Sequence, residues 1–202
     1  MTRISLLSAC LGVLCIACMS CSTSLDFTGN YYTKNRAKLE LIQERYEKLY
    51  TRQPFQLDLK DRELTRIGIE LLTDSIKYIY NFTLTDRSFI DTLDKYNLDI
   101  KEMSLLISDM QEVQATWISK LDYFQNRERK YLVFLSVRHR KLHSLLKPER
   151  YFTLAFFNND QSYDKKGRLL DKDDQKRHRL INGEIFHRLN NKLFYAVMDR
   201  YR

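Results

Sequence analysis

Four cysteines, four histidines and a group of three aspartates are the residues of this chain with the most specific chemistry. Cys10, Cys15, Cys18 and Cys21 all lie within the first 21 residues. Nothing after Cys21 can therefore form a disulfide, bind a metal through thiolate or act as a cysteine nucleophile. His139 and His143 stand four apart in Arg-His-Arg-Lys-Leu-His, a spacing that on a helix can hold zinc. The basic residues around them oppose a cation, and no carboxylate is placed to complete the set. His178 and His187 are nine apart, on different faces of any helix, and are expected at the surface. Asp171, Asp173 and Asp174 offer oxygen ligands, but a calcium loop needs them at alternate positions with a glycine at the sharp turn. Acids ahead of Lys176, Arg177 and Arg179 read instead as a helix start favoured by the dipole.

The glycines after Cys21 are scattered at Gly29, Gly68, Gly167 and Gly183. A phosphate loop or a dinucleotide fingerprint needs them clustered. There is no Gly-x-Ser-x-Gly elbow. Carboxylates distant in sequence that converge in space remain open as a catalytic arrangement. No cofactor and no metal site are expected.

The N-terminal segment speaks of location. Arg3 is followed by an uncharged run, Ile4 to Met19, of 16 residues with Ser8 inside it. A spanning helix needs about 20 apolar residues, so the run fits a cleaved export signal. It resembles a bacterial lipoprotein signal, in which a cysteine becomes the lipidated first residue of the mature protein. Cys21 follows Met19-Ser20 and precedes Ser-Thr-Ser, which looks like a tether; Cys18 follows Ile16-Ala17. Cys10 has fitting neighbours in Leu7-Ser8-Ala9, but the apolar stretch before it is too short to insert. The resemblance implies lipidation at Cys21, with Cys18 as the alternative, and a fatty-acyl (palmitate-type) membrane anchor. It implies a cell-envelope location facing the periplasm or the exterior. An ordinary secretory signal and a short uncleaved anchor share the consequence of export. The expected organisation is a signal over 1–20, a tether over 21–30 and a single α+β domain over 31–202.

Composition is that of a globular domain: 44% hydrophobic, 30% charged, 13 Tyr, 11 Phe, and only 5 Gly and 2 Pro. The charge is uneven. Residues 1–126 hold 15 Lys and Arg against 17 Asp and Glu; residues 127–202 hold 19 against 9. A basic half suggests an anionic partner, which for an exported protein means headgroups, an acidic polymer or an acidic envelope protein rather than nucleic acid. Arg138, Arg140, Lys141, Lys176, Arg177 and Arg179 are the candidate contacts.

Several elements must position these residues. Leu39, Ile42, Tyr46, Leu49 and Tyr50 recur at helical spacing and predict a surface helix over 31–51, with Glu44 and Lys48 able to pair one turn apart. Pro54 ends it. Phe55, Leu57 and Leu59 alternate as in a half-buried strand. Residues 64–72 are ambiguous because Gly68 interrupts the alternation. Ile76 to Leu84 alternates cleanly and reads as a strand; its Asn81-Phe82-Thr83 sequon is a chance match. Helices follow over 86–96 and from Asp99, where Glu102 completes a capping box. Strands are predicted over Trp117–Phe124, Tyr131–Val137 and Tyr151–Phe157, the last two apolar on both faces and so central. A polar loop, a helix over Asp171–Asn190 with Leu180, Ile181, Ile185 and Leu189 inward, and a closing segment Leu193–Met198, either a strand or the helix continuing, complete the chain. The expected fold is α+β: an antiparallel sheet of about five strands with three or four helices, mainly on one face.

The function expected from these features is binding or scaffolding by a lipid-anchored envelope protein, not catalysis. The alternative is a carrier or sensor of an apolar or anionic ligand, and after that a hydrolase with dispersed carboxylates.

Overall fold

The computed structural model describes residues 31–125, 127–138, 150–171 and 175–200. The chain divides into two compact units, Met1–Arg36 and Ala37–Arg202. Of the first, only residues 31–36 are described, and they lead into a helix. The signal, the tether, Cys18 and Cys21 lie outside the described residues, as do His139, His143, Arg140, Lys141, Asp173 and Asp174.

Helix α1 runs Thr33–Tyr50. Its Leu39, Ile42, Tyr46 and Leu49 are buried, each contributing about 1.5–3 kcal/mol of hydrophobic stabilisation. Just after Pro54, β1 (Phe55–Leu59) begins a hairpin pair with β2 (Arg66–Leu72), which pairs in turn with β3 (Lys77–Thr83). Helix α2 (Arg87–Lys95) and helix α3 (Ile100–Glu112) carry the chain back across the sheet. The Asp99 carboxylate accepts the Glu102 N–H at 3.0 Å, an N-cap for α3 as its sequence predicts. A meander of β4 (Ala115–Gln125), β5 (Glu128–Arg138) and β6 (Tyr151–Phe157) follows. Residues 158–192 then leave the sheet, form the small hairpin of β7 (Leu180–Ile181) and β8 (Glu184–Ile185), and return through β9 (His187–Arg188) to β10 (Leu193–Met198).

The main sheet is antiparallel throughout, in the order β3-β2-β1-β4-β5-β6-β10-β9. It has eight strands rather than about five. The stretch around Gly68 is a regular strand, because Gly68 lies directly across from Asp58, whose carboxylate occupies the space a Cβ would fill. The two faces are covered differently. Leu57, Ile118, Leu135, Leu154 and Tyr195 align across five strands, on the face that takes the helices. There Tyr46 of α1 packs edge-on to Phe55 and Phe89 of α2 packs on Phe82. The three helices among the described residues lie on this side. On the opposite face Trp117, Phe134, Phe157 and Phe194 pack against Leu169 and Phe186 from the 158–192 excursion. Both faces of β5 and β6 are thereby covered, as their unbroken apolar sequences require.

The helix expected over Asp171–Asn190 is not formed. Asn182 and Gly183 both adopt positive φ (53° and 82°), the requirement of a two-residue hairpin turn between β7 and β8. Leu180, expected inward, is exposed, while Phe186 becomes the buried anchor.

Candidate functional site: a groove along the first helix

Helix α1 sorts its residues into three stripes. The apolar stripe faces the sheet. A basic stripe of Lys38, Arg45 and Lys48 meets α3: Arg45 reaches Glu102 at 2.6 Å and Asp109 at 3.4 Å, Lys38 reaches Asp109 at 2.9 Å, and Lys48 reaches Glu102 at 3.5 Å. Lys48 thus serves α3 instead of the intrahelical pair with Glu44 that its spacing allows. The third stripe, Glu40, Gln43, Glu44 and Glu47, lies along a cavity of about 520 Å³, within the range of small-ligand sites.

The sheet supplies the other wall of that cavity: Tyr131 from β5, Phe156 and Phe157 from β6, and Asn158, Asn190 and Lys192 from the ends of the excursion. Both asparagines are held by the backbone. Asn158 Oδ1 accepts the Tyr131 N–H at 3.2 Å. Asn190 Oδ1 accepts the N–H groups of Lys192 and Leu193, each at 2.8 Å. Tyr131 has its pKa raised, first by burial and then by the charge and hydrogen bond of Glu47.

A second hollow of about 380 Å³ shares Tyr131 and is completed by Tyr50, Thr51, Pro54, Lys120, Asp122 and Arg129. Lys120 Nζ sits 4.8 Å from the centre of the Tyr50 ring and 3.9 Å from that of Tyr131. An ammonium between two aromatic faces is a cation–π arrangement. Asp122 is paired with Arg129 at 2.6 Å. The two hollows meet at Tyr131: the first has aromatic walls, carboxylates on the helix side and a single lysine, Lys192, on the far rim, and the second adds Lys120, Arg129 and Asp122 from the strands. Among the described residues no group of three or more His, Cys, Asp and Glu is placed to hold a metal ion. The glutamates are spread along the groove rather than gathered at a point.

Among the described residues, those singled out from sequence are not brought together. Arg138, the last residue of β5, donates to the backbone oxygens of Arg62 and Asp61 at 3.1 and 3.2 Å. Arg179 stacks 4.8 Å from the Tyr123 ring centre and 5.6 Å from that of Phe157, on the face away from the helices. Lys176 and Arg177 are exposed. His178, expected at the surface, is half-buried with Nε2 3.2 Å from Asp164 Oδ2. Asp164 also accepts from the Lys166 and Arg168 backbone and from the Arg168 guanidinium. The Arg168 backbone N–H is the largest cause holding its pKa well below the ordinary carboxylate range. The groove itself was legible only as charge on a surface helix; the signal was the i, i+4, i+7 spacing of Glu40, Glu44 and Glu47, on a stripe apart from the basic residues.

Comparison with protein-family models, curated proteins and solved structures finds no match to this chain. Its site is read from its own chemistry. No helix among the described residues is long and apolar enough to cross a membrane.

Proposed function

We propose that this is an exported envelope protein, tethered by lipid at Cys21, whose folded domain acts by binding, and that the α1 groove takes an extended polar ligand carrying amine cations. The carrying observation is the row of Glu40, Glu44 and Glu47 facing the asparagines and aromatic rings of the opposite wall. Carboxylates attract ammonium groups, amides supply neutral hydrogen bonds, and tyrosine faces accept cations. Lys120 already occupies such a position between Tyr50 and Tyr131. Hydrolysis by paired carboxylates calls for acids flanking a scissile bond from two sides. In the larger hollow the acids come from one helix, and the facing wall offers Tyr131, Asn158, Asn190 and Lys192, which favours binding. Exposed Lys176 and Arg177 support a weaker contact with an anionic envelope component on another part of the surface.

The test is a titration of the full chain in neutral detergent with hexalysine and with hexaglutamate. Hexalysine should bind, weaken steeply as salt rises, and bind at least about fivefold more weakly to Glu40→Gln/Glu44→Gln/Glu47→Gln. Equal affinity for both peptides, or no effect of the triple substitution, defeats the groove reading. The tether is tested separately by fatty-acid labelling in cells. Label should be lost in Cys21→Ser; loss only in Cys18→Ser moves the anchor there, and label unchanged in both removes it.

A further inference from the structure

We propose that the protein self-associates through the free edge of its sheet, β3 of one copy pairing antiparallel with β3 of a second copy about a two-fold axis at Ile79. The two edges of the sheet are built differently. One ends in β9, which is two residues long. The other is β3, seven residues paired with β2 without a register shift and with no further strand on its outer side among the described residues. Proteins blunt such edges with proline, bulges or charges. The β3 sequence Lys-Tyr-Ile-Tyr-Asn-Phe-Thr has no proline or glycine, and its one charge, Lys77, is paired with Glu70 of β2.

Backbone phase decides which groups are free. Leu84 N–H bonds to Thr65 O and Thr73 N–H to Ile76 O. The even-numbered residues of β3 therefore exchange hydrogen bonds with β2, and Lys77, Ile79, Asn81 and Thr83 point N–H and C=O outward. Thr83 N–H is taken by Asp86 Oδ2 at 2.7 Å. That leaves a ladder of three residues, Lys77, Ile79 and Asn81, symmetric about Ile79. A two-fold axis there pairs Ile79 with Ile79 and Lys77 with Asn81, so every free group in the ladder finds a partner and no like charges oppose each other.

The side chains fit the same operator. Ile79 is 60% exposed and Tyr78 38%. Tyr78, Tyr80 and Phe82 already form a stacked ladder along the strand, with ring centres 6.5 and 5.9 Å apart. In the dimer Tyr78 lies opposite Tyr80 of the second copy, at a position where cross-strand aromatic pairs stabilise. Ile79 meets its own copy on the other face. Self-complementarity of bonds, charge and rings is the mark of an isologous, closed interface, and it selects a second copy over an unrelated strand. This surface is separate from the α1 groove, so either reading can fail alone.

The experiment uses the full chain in detergent with Cys10, Cys15, Cys18 and Cys21 replaced by Ser. Light scattering over rising protein concentration should show the mass double, and Ile79→Lys, an exposed change that opposes two charges at the axis, should weaken association by about tenfold. Independently, Ile79→Cys should cross-link to its copy under mild oxidation, since directly opposed Cα atoms lie about 5.5 Å apart, within disulfide reach. Asn81→Cys, four residues out of register with its own copy, should not. A monomer at every concentration overturns the proposal. So does a dimer untouched by Ile79→Lys, or one in which Asn81→Cys cross-links as well as Ile79→Cys.

Discussion

Gly68→Ala should destabilise the domain through one named contact. A Cβ at position 68 falls on the Asp58 carboxylate, with Asp58 Cγ at 2.9 Å and Lys60 Cε at 2.5 Å. The backbone cannot retreat, because β1 is hydrogen-bonded to β2 on one side and β4 on the other. Asp58 must turn, yet it is 5% exposed and crowded beneath Lys60, whose Nζ is 3.9 Å away. Overpacking costs about 1–3 kcal/mol, and disturbing a buried carboxylate adds about 1 kcal/mol or more. The lower unfolded-state entropy of alanine returns about 0.4–1 kcal/mol. The net loss is about 1.5–3 kcal/mol, a fall in melting temperature of about 4–10 °C for a domain of this size. Urea unfolding of wild type, Gly68→Ala, Asp58→Ala and the double variant measures it. Removing the carboxylate vacates the contested space, so the double variant should recover about 1–2 kcal/mol relative to additivity. A neutral Gly68→Ala, or a loss undiminished in the Asp58→Ala background, would refute the steric argument.

Arg45→Met leaves Glu102 and Asp109 with a weakened partner set between α1 and α3, and should cost about 2–3 kcal/mol, less than a fully buried pair because these side chains keep some solvent contact; thermal melts decide it. Leu135→Asp and Leu154→Asp each put a charge at a fully buried position of the adjacent strands β5 and β6, and should lose several kcal/mol and soluble yield; soluble variants with wild-type melts would contradict the placement. Asp164 has a depressed pKa, so its stabilising contribution is complete above the ordinary carboxylate range of about 4 and is lost as pH falls below it toward the folded value. Asp164→Asn should flatten the acid limb of stability against pH, and an unchanged limb would show that other carboxylates set it.

The elements legible from sequence were those whose burial is regular. Tyr151–Phe157 forms a strand with those bounds, its run apolar on successive residues lying in a sheet covered on both faces; Leu193–Met198, open between a strand and a continuing helix, is a strand because it pairs with β6 along its whole length. Within the 158–192 excursion, the stretch Asp171–Asn190 reads as a helix and is not one for a physical reason. Ile181, Ile185 and Leu189 keep helical spacing by accident, while the Asn182-Gly183 turn, the stronger local signal, lies between them. Gly68 looked like an interruption because a sequence cannot show that the residue across the ladder needs its space. The groove was half legible: the charge of α1 is in its sequence, but which stripe meets α3 and which faces the groove depends on the return of the chain through α2 and α3.

That division of α1 carries a last prediction. The basic stripe is occupied by α3 and is structural; the acidic stripe faces the groove. Glu44 is exposed and lies four residues from Glu40 and three from Glu47, all on one side of the helix. Like charges at those spacings repel by about 0.2–0.5 kcal/mol per pair. Glu44→Gln should therefore leave stability unchanged or raise it by a few tenths of a kcal/mol, while hexalysine binding falls. Arg45→Met should do the reverse, losing stability while the folded fraction still binds. Paired melts and titrations of the two variants separate the roles. If Glu44→Gln destabilises as Arg45→Met does, the glutamates serve the fold, and the groove is a by-product of packing rather than a site.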